Sequence, residues 1–368
     1  MAKLSDLKRV NETKNEIIYE YRQGPSNKGH SRIKELWEQD IFLAERDDFA
    51  NLMPFSYTYP TKRLAIGVGK SARGNYYLKI FVEREDGVAF RTANRIQNKL
   101  GEAEIEVVKR IVALEKTERR GKKEARSLRS RVRPLHMGLS VGQAQAGAGT
   151  LGAFVQIKSR QNFEQGIGFL SSTSVLAPGE RPSLDDWIYQ PGQTDAERLT
   201  SDFRIGKLIN LVEIVRFHPN ELDVALASLA TERAEEVTGN IIPKGFPNAG
   251  KAIGEANSDE HTWLGEPVAK IGRTTGYTEG IVTAVSIDGL IVYRGRENVV
   301  YDDVFEIRPT PGNTHFAIPG DSGAMVFTKR KIEPIGLVFA AGTTKEGSVS
   351  YACRLDKALA AFNVKLLS

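Results

Sequence analysis

Apolar side chains recur at near-helical spacing at the start of this chain: Leu4, Leu7, Val10, Ile17, Ile18 and Tyr21. That spacing places them on one face of a helix, and Gly24-Pro25-Ser26-Asn27 ends it. Ile33, Leu36, Trp37, Ile41, Phe42 and Leu43 mark a second helix, so residues 1–52 read as a helical N-terminal extension. Stripes of this kind either pack on the parent domain or serve as an oligomerisation or docking element. Beyond them the pattern changes. Residues 63–68 and 76–83 read as strands, 88–100 as a helix and 105–114 as a further strand, giving a small α/β module over 60–114. From residue 136 to the end, short apolar runs lie close together with Gly, Pro and Asn between them, which favours an all-β domain.

Composition adds limits. The chain has 368 residues, room for two or three domains with ample core. With 40% hydrophobic and 26% charged residues it is ordinary for a globular protein. It contains no uninterrupted apolar run of about 18 residues, so no membrane span is expected. The first residues lack the apolar core of a secretory signal, and Cys353 is the only cysteine, which excludes an intrachain disulfide. Both features lead us to expect a cytoplasmic protein. Cys353 sits in a β-like run and is expected simply to be packed. The sequence shows no metal-ligand spacing and no cofactor motif, so we expect neither.

Charge is concentrated in one place. Residues 116–133, from Lys116 to Arg133, hold nine Lys or Arg against Glu118 and Glu124, a net of +7 where the whole chain is +5. This marks 115–135 as a basic linker. Clustered cations of this kind bind nucleic acid by displacing phosphate counterions. The absence of aromatic residues for base stacking favours a solvated connector instead. Gly69-Lys70-Ser71 mimics a phosphate-binding loop, but that motif needs a glycine where Leu64 stands. Gly67 and Gly69 are therefore read as turn glycines.

Candidate chemistry lies in the all-β part. Gly320-Asp321-Ser322-Gly323 puts a serine between glycines that let the backbone turn tightly and bring N–H groups toward a substrate carbonyl. In 222–226 a carboxylate, Asp223, is set among Leu, Val and Ala, where burial costs free energy unless the group is hydrogen-bonded. An aspartate capping a turn at a strand end explains that segment equally well. Residues 272–282 carry three glycines between runs rich in Ile, Val and Thr and read as a β-hairpin.

From Thr150 onward the chain resembles the narrow-leaf-type bacterial and plant branch of the trypsin-like, chymotrypsin-fold serine peptidases. The resemblance runs in order through Gly149-Thr150-Leu151-Gly152, Ser174-Val175-Leu176-Ala177, Gln190-Pro191-Gly192 and Leu222-Asp223-Val224-Ala225. It continues through Lys270-Ile271-Gly272-Arg273-Thr274, Pro319-Gly320-Asp321-Ser322-Gly323 and Gly336-Leu337-Val338. It implies a mainly β fold, a chymotrypsin-like double antiparallel β-barrel over 136–368 with the active site between two six-stranded barrels. The α/β module and the N-terminal helical pair would precede it. It further implies Ser322 as nucleophile, Asp223 as the carboxylate of the triad and an oxyanion site at the Gly320 and Ser322 N–H groups. The substrate pocket would be walled by His315, Phe316, Phe339, Ala340, Ala341 and Gly342.

Two positions depart from that pattern. Ala324 replaces a second glycine, which is tolerable, and Ser174 stands where the general-base histidine belongs. An alcohol is no base near neutral pH, and loss of a triad histidine costs about 10⁶ in kcat. The expected protein is thus a trypsin-like homologue with impaired hydrolysis, a pseudo-protease acting by recognition of a peptide or protein in the old substrate cleft. Two alternatives stay open. One is a working serine endopeptidase whose base is His315 or a histidine on its substrate; the other is an architectural subunit, a homo-oligomer assembled through 1–52. Of the remaining histidines, His218 and His261 are expected on surface turns.

Overall fold

The computed structural model describes residues 7–23, 64–101, 103–115, 125, 127–158, 166–179, 182–216, 218–295 and 297–367. The second helix expected in 1–52, and residues 116–124 and 126 of the basic linker, fall outside these residues.

Helix α1 (Leu7–Gln23) lays Val10, Ile17 and Ile18 against strands β1 (Leu64–Lys70) and β2 (Tyr76–Val82). Its Lys14 is also buried on that face, donating to the Ser286 carbonyl at 2.8 Å and pairing with Asp288 at 2.8 Å. The first N-terminal helix therefore packs on its own chain. β1 and β2 form an antiparallel hairpin, followed by helix α2 (Gly87–Leu100) and strand β3 (Ala103–Val107), parallel to β2. A helix joining parallel neighbours is the βαβ crossover that parallel pairing requires.

The structure divides the expected strand 105–114 in two. After β3 the chain turns at the buried Val108, and β4 (Lys109–Ala113) leaves for a different edge. There it runs antiparallel to β18 (Pro334–Thr344) and parallel to β14 (Leu290–Arg294). Gly67 and Gly69 are not turn residues. Both lie inside β1, where a Cβ would come within 2.7 Å of Ile287 or 2.6 Å of the Tyr77 ring, and the turn is made by residues 71–75.

The rest is mainly β, as expected. Strands β5 (Ser140–Gln143), β6 (Gly149–Thr150), β7 (Ala153–Ile157) and β8 (Gly166–Ser171) precede a single helical turn, α3 (Thr173–Leu176). β9 (Trp187–Tyr189), β10 (Arg204–Leu211) and β11 (Ala225–Leu229) complete the first sheet, ordered 7-8-11-10-9-5 with β6 beyond β5. The second sheet uses β12 (Pro267–Gly272), β13 (Gly276–Asp288), β14, β15 (Glu297–Tyr301), β16 (Val304–Pro309), β17 (Met325–Thr328), β18 and β19 (Gly347–Arg354). In it β12-β13-β16-β19-β18-β17 closes on itself as a six-stranded antiparallel barrel. Helix α4 (Leu355–Phe362) then leads to β20 (Val364–Leu366), which returns to pair with β7.

This is the expected chymotrypsin-like double-barrel architecture with one difference. Among the described residues no ladder joins β5 or β6 back to β7, so the first barrel is a half-barrel. The module over 60–114 also shares its sheet with the closed barrel, since β1 pairs with β13. Ion pairs join them: Lys79 of β2 lies 2.7 Å from both Glu306 of β16 and Glu106 of β3.

Candidate active site

The site forms where the half-barrel and the closed barrel meet. Ser322 sits on the loop between β16 and β17, whose path depends on two glycines in the left-handed region, Gly320 (φ 96°) and Gly323 (φ 86°). A Cβ on Gly323 would lie 2.1 Å from Ser171 Oγ, so only glycine fits there.

Asp321 anchors this loop from inside. Its Oδ1 accepts the N–H groups of Thr274 (2.9 Å) and Thr275 (3.1 Å), and its Oδ2 accepts Thr275 Oγ1 (2.8 Å) and the Ile318 N–H (3.1 Å). Lys270 Nζ stands 3.4 Å from Oδ2 and donates to Thr275 Oγ1 at 2.5 Å; both charged side chains are fully buried. Burial of this pair is tolerable because the carboxylate is saturated with donors. Ala324 is accommodated, its N–H donating to the Asp321 carbonyl at 3.0 Å. The two barrels are tied beneath the site as well. Arg273, in the β12–β13 turn, grips Asp195 through two nitrogens, one of them at 2.7 Å, and Thr150 Oγ1 donates to the Gly320 carbonyl.

Ser322 Oγ lies 2.8 Å from Ser172 Oγ, which lies 3.2 Å from Ser174 Oγ. Three hydroxyls thus stand in a row. Asp223 lies just before β11 and is 1% exposed. Its Oδ1 accepts the Thr173 N–H at 2.9 Å, leaving Oδ2 for other partners. That oxygen is taken by Arg294 Nη1 at 3.0 Å, with the Tyr301 hydroxyl at 3.4 Å. Arg294 reaches in from the end of β14 and also meets Glu115 through Nε at 2.5 Å.

Arg294 and Tyr301 are both held in their protonated forms. Burial alone would lower the affinity of Arg294 for its proton. The charges of Asp223 and Glu115, with the hydrogen bond to the Tyr301 hydroxyl, outweigh that and hold the guanidinium above its ordinary value. A guanidinium has no acceptor atom. The Tyr301 hydroxyl is pushed well above the ordinary phenol range by burial and by Asp223, so it too stays protonated. His315 is exposed, and the hydrogen bonds of Ser322 Oγ and Asp223 run to the groups just named. His218 and His261 are exposed. Cys353 is buried, and burial pushes its thiol up to about 12, so it supplies no thiolate.

The remaining expected site residues lie on the other side of Ser322. The Gly320 N–H points at the carbonyl of Leu114, 3.5 Å away. Phe316 is fully buried with the Lys270 ammonium 5.7 Å from its ring centre, and Phe339 and Ala340 are buried along β18. Ala341 and Gly342 follow on the same strand, with the β18 edge from Ala340 to Thr343 paired to β4. A cleft of about 580 Å³ opens beside Ser174, bounded by Glu115, Thr173, Arg294, Glu213 and Arg216.

Arg294, Glu115, Ser172 and Lys270 belong to the site but not to the sequence expectation. Lys270 had a signal: a cation between Ala269 and Ile271 in an apolar strand raises the same question as Asp223 among its neighbours. Arg294 had none, since its partner Asp223 is 71 residues away.

In comparisons by sequence, no family model and no curated protein matches the chain. By structure it is similar to serine proteases at low identity. A Nocardiopsis protease is 14% identical with a TM-score of 0.42, the match covering 64% of this chain and 100% of that one. Thermobifida fusca protease A is 14% identical with a TM-score of 0.41, over 64% and 100% of the two chains. A Cellulomonas bogoriensis chymotrypsin is 15% identical with a TM-score of 0.41, over 63% and 99%. The chemistry of the site rests on its own geometry.

Proposed function

We propose that this protein is a trypsin-like serine peptidase homologue that recognises a peptide or protein segment in the cleft beside Ser322 and hydrolyses it very slowly or not at all. One observation carries the reading: Ser322 Oγ meets a hydroxyl, Ser172 Oγ, and the nearby carboxylate Asp223 is neutralised by Arg294 instead of orienting an imidazole. A serine hydroxyl needs an adjacent base to become a nucleophile. The loop carrying Gly320 and Ser322 is otherwise held as a working one would be, with Asp321 saturated and the Gly320 N–H turned toward a carbonyl. Binding of an extended peptide is retained in this reading, and proton transfer is lost. No described helix is long and apolar enough to cross a membrane.

The test restores the base. Since Arg294 holds the second carboxylate oxygen of Asp223, Ser174→His is combined with Arg294→Gln so that the imidazole can reach it. We expect the double variant to be phosphonylated at Ser322 by a small fluorophosphonate at least about 10³-fold faster than the unmodified chain, read by intact mass. An unmodified chain that labels as fast as the double variant contradicts the reading. So does a double variant that stays inert while folded when Leu114→Asp is added to displace residues 109–115 from the Ser322 loop.

A further inference from the structure

The stretch of β18 next to the Ser322 loop is already paired with an extended strand, and that strand belongs to the chain itself. Strand β4 lies antiparallel along β18, with Ala113 opposite Ala340, Val112 opposite Ala341 and Lys109 opposite Thr343. The Leu114 N–H continues the ladder to the Phe339 carbonyl at 2.9 Å, and the Leu114 carbonyl meets the Gly320 N–H at 3.5 Å. The next residue, Glu115, pairs with Arg294, which pairs with Asp223. Within a few residues the chain therefore runs along a sheet edge, past the N–H beside the nucleophile, to the carboxylate of the degenerate triad.

Each part of that path is how an acyl substrate would be held. Adding a strand to a sheet edge is a general mode of peptide recognition, with main-chain bonds giving affinity and alternate side-chain pockets giving selectivity. An N–H beside a serine nucleophile is where a substrate carbonyl is polarised. The Leu114 side chain is 1% exposed and belongs to the same apolar cluster as Phe316, Ala317 and Ala341. The pocket thus takes an aliphatic group the size of leucine, and the cation beyond it takes an acid. The ladders that hold β4 are short, with three registered pairs to β18 and one to β14, and Arg110 within it is at φ 35°.

We propose that residues 109–115 are an intramolecular ligand of the Ser322 cleft. External ligands are extended peptides with an aliphatic residue followed by an acidic one, and they bind by displacing this strand. The proposal rests on reading the cleft as a peptide site. It is tested with a fluorescent peptide of sequence Lys-Arg-Ile-Val-Ala-Leu-Glu, its anisotropy followed against the full chain and against the full chain carrying Leu114→Asp. That substitution puts a carboxylate into the apolar pocket and expels the strand. We expect binding at least about tenfold tighter to the variant, because apparent affinity scales with the fraction of molecules whose site is free.

Equal binding to both chains overturns the proposal and leaves peptide recognition standing. Binding to neither overturns it as well, and the reactivity of the base-restored variant then decides the peptidase reading separately. Should Leu114→Asp fail to fold, hydrogen exchange on the unmodified chain decides. Amides of residues 111–114 are expected to be protected like those of 337–341. Exchange at the rate of an open peptide overturns the proposal.

Discussion

At the scale of single residues, the site is a set of charges and hydroxyls whose partners decide what they do. Ser322 Oγ meets the Ser172 hydroxyl at 2.8 Å. Asp223 is buried and pairs with a guanidinium, which has no acceptor atom. The serine at 174 was legible because a strand end, two small polar residues and Val-Leu surround it, and Asp223 was legible because an acid among apolar neighbours demands an explanation. Arg294 was not, since a Tyr-Arg-Gly turn carries no sign of a distant partner. Lys270 makes the loop testable. Lys270→Met leaves Asp321 buried beside its hydrogen bonds but without its cation, and we expect a loss of about 3 kcal/mol in urea unfolding. A second residue sets a pH dependence. His136 is largely buried, and burial lowers its pKa from 6.5 despite its bond to the Met137 carbonyl. The folded chain keeps it neutral while the unfolded chain protonates it. Stability is therefore flat above about pH 6.5 for this group and falls as pH drops below that value toward the folded pKa. Urea midpoints at pH 7.5 and 5.5 are expected to differ less in His136→Gln than in the unmodified chain.

At the scale of elements, the hairpin of β12 and β13 was readable because its glycines and threonines punctuate it; Gly272 and Gly276 face each other across the turn. The split of β3 from β4 was hidden. Val107 and Val108 are both apolar, so the run looks continuous, yet the first ends a parallel ladder and the second turns the chain toward β18. Gly67 and Gly69 misled for a related reason, since a glycine required by a neighbouring Ile287 or Tyr77 looks the same as one required by a turn. The module's attachment to the closed barrel rests on buried charge. Lys79 bridges Glu306 and Glu106, while Arg308 contacts Glu106, and Tyr351 donates to Glu306 at 3.1 Å. Lys79→Met removes one cation from two buried carboxylates, so we expect about 3–5 kcal/mol of destabilisation by urea unfolding. A change below 1 kcal/mol would show that the cluster adds little to this junction.

At the scale of the whole molecule, a closed barrel and a half-barrel meet at the site and are tied by buried links. Arg273 grips Asp195, Thr150 holds the Gly320 carbonyl, and the last strand, β20, crosses back to β7. The mainly β architecture followed from the spacing of apolar runs together with the family resemblance. The open first barrel did not, because closure depends on which strand edges meet. Nor did the way residues 60–114 merge with the second sheet, since pairings such as β1 with β13 join segments more than 200 residues apart. The account of the whole protein comes down to proton transfer at Ser322, and the most direct measurement uses the chain carrying Leu114→Asp. There the strand no longer covers the cleft, so only the missing base protects the serine. Intact-mass analysis after exposure to a fluorophosphonate is predicted to show no adduct at Ser322 above background. Prompt, stoichiometric labelling at Ser322 would contradict the account.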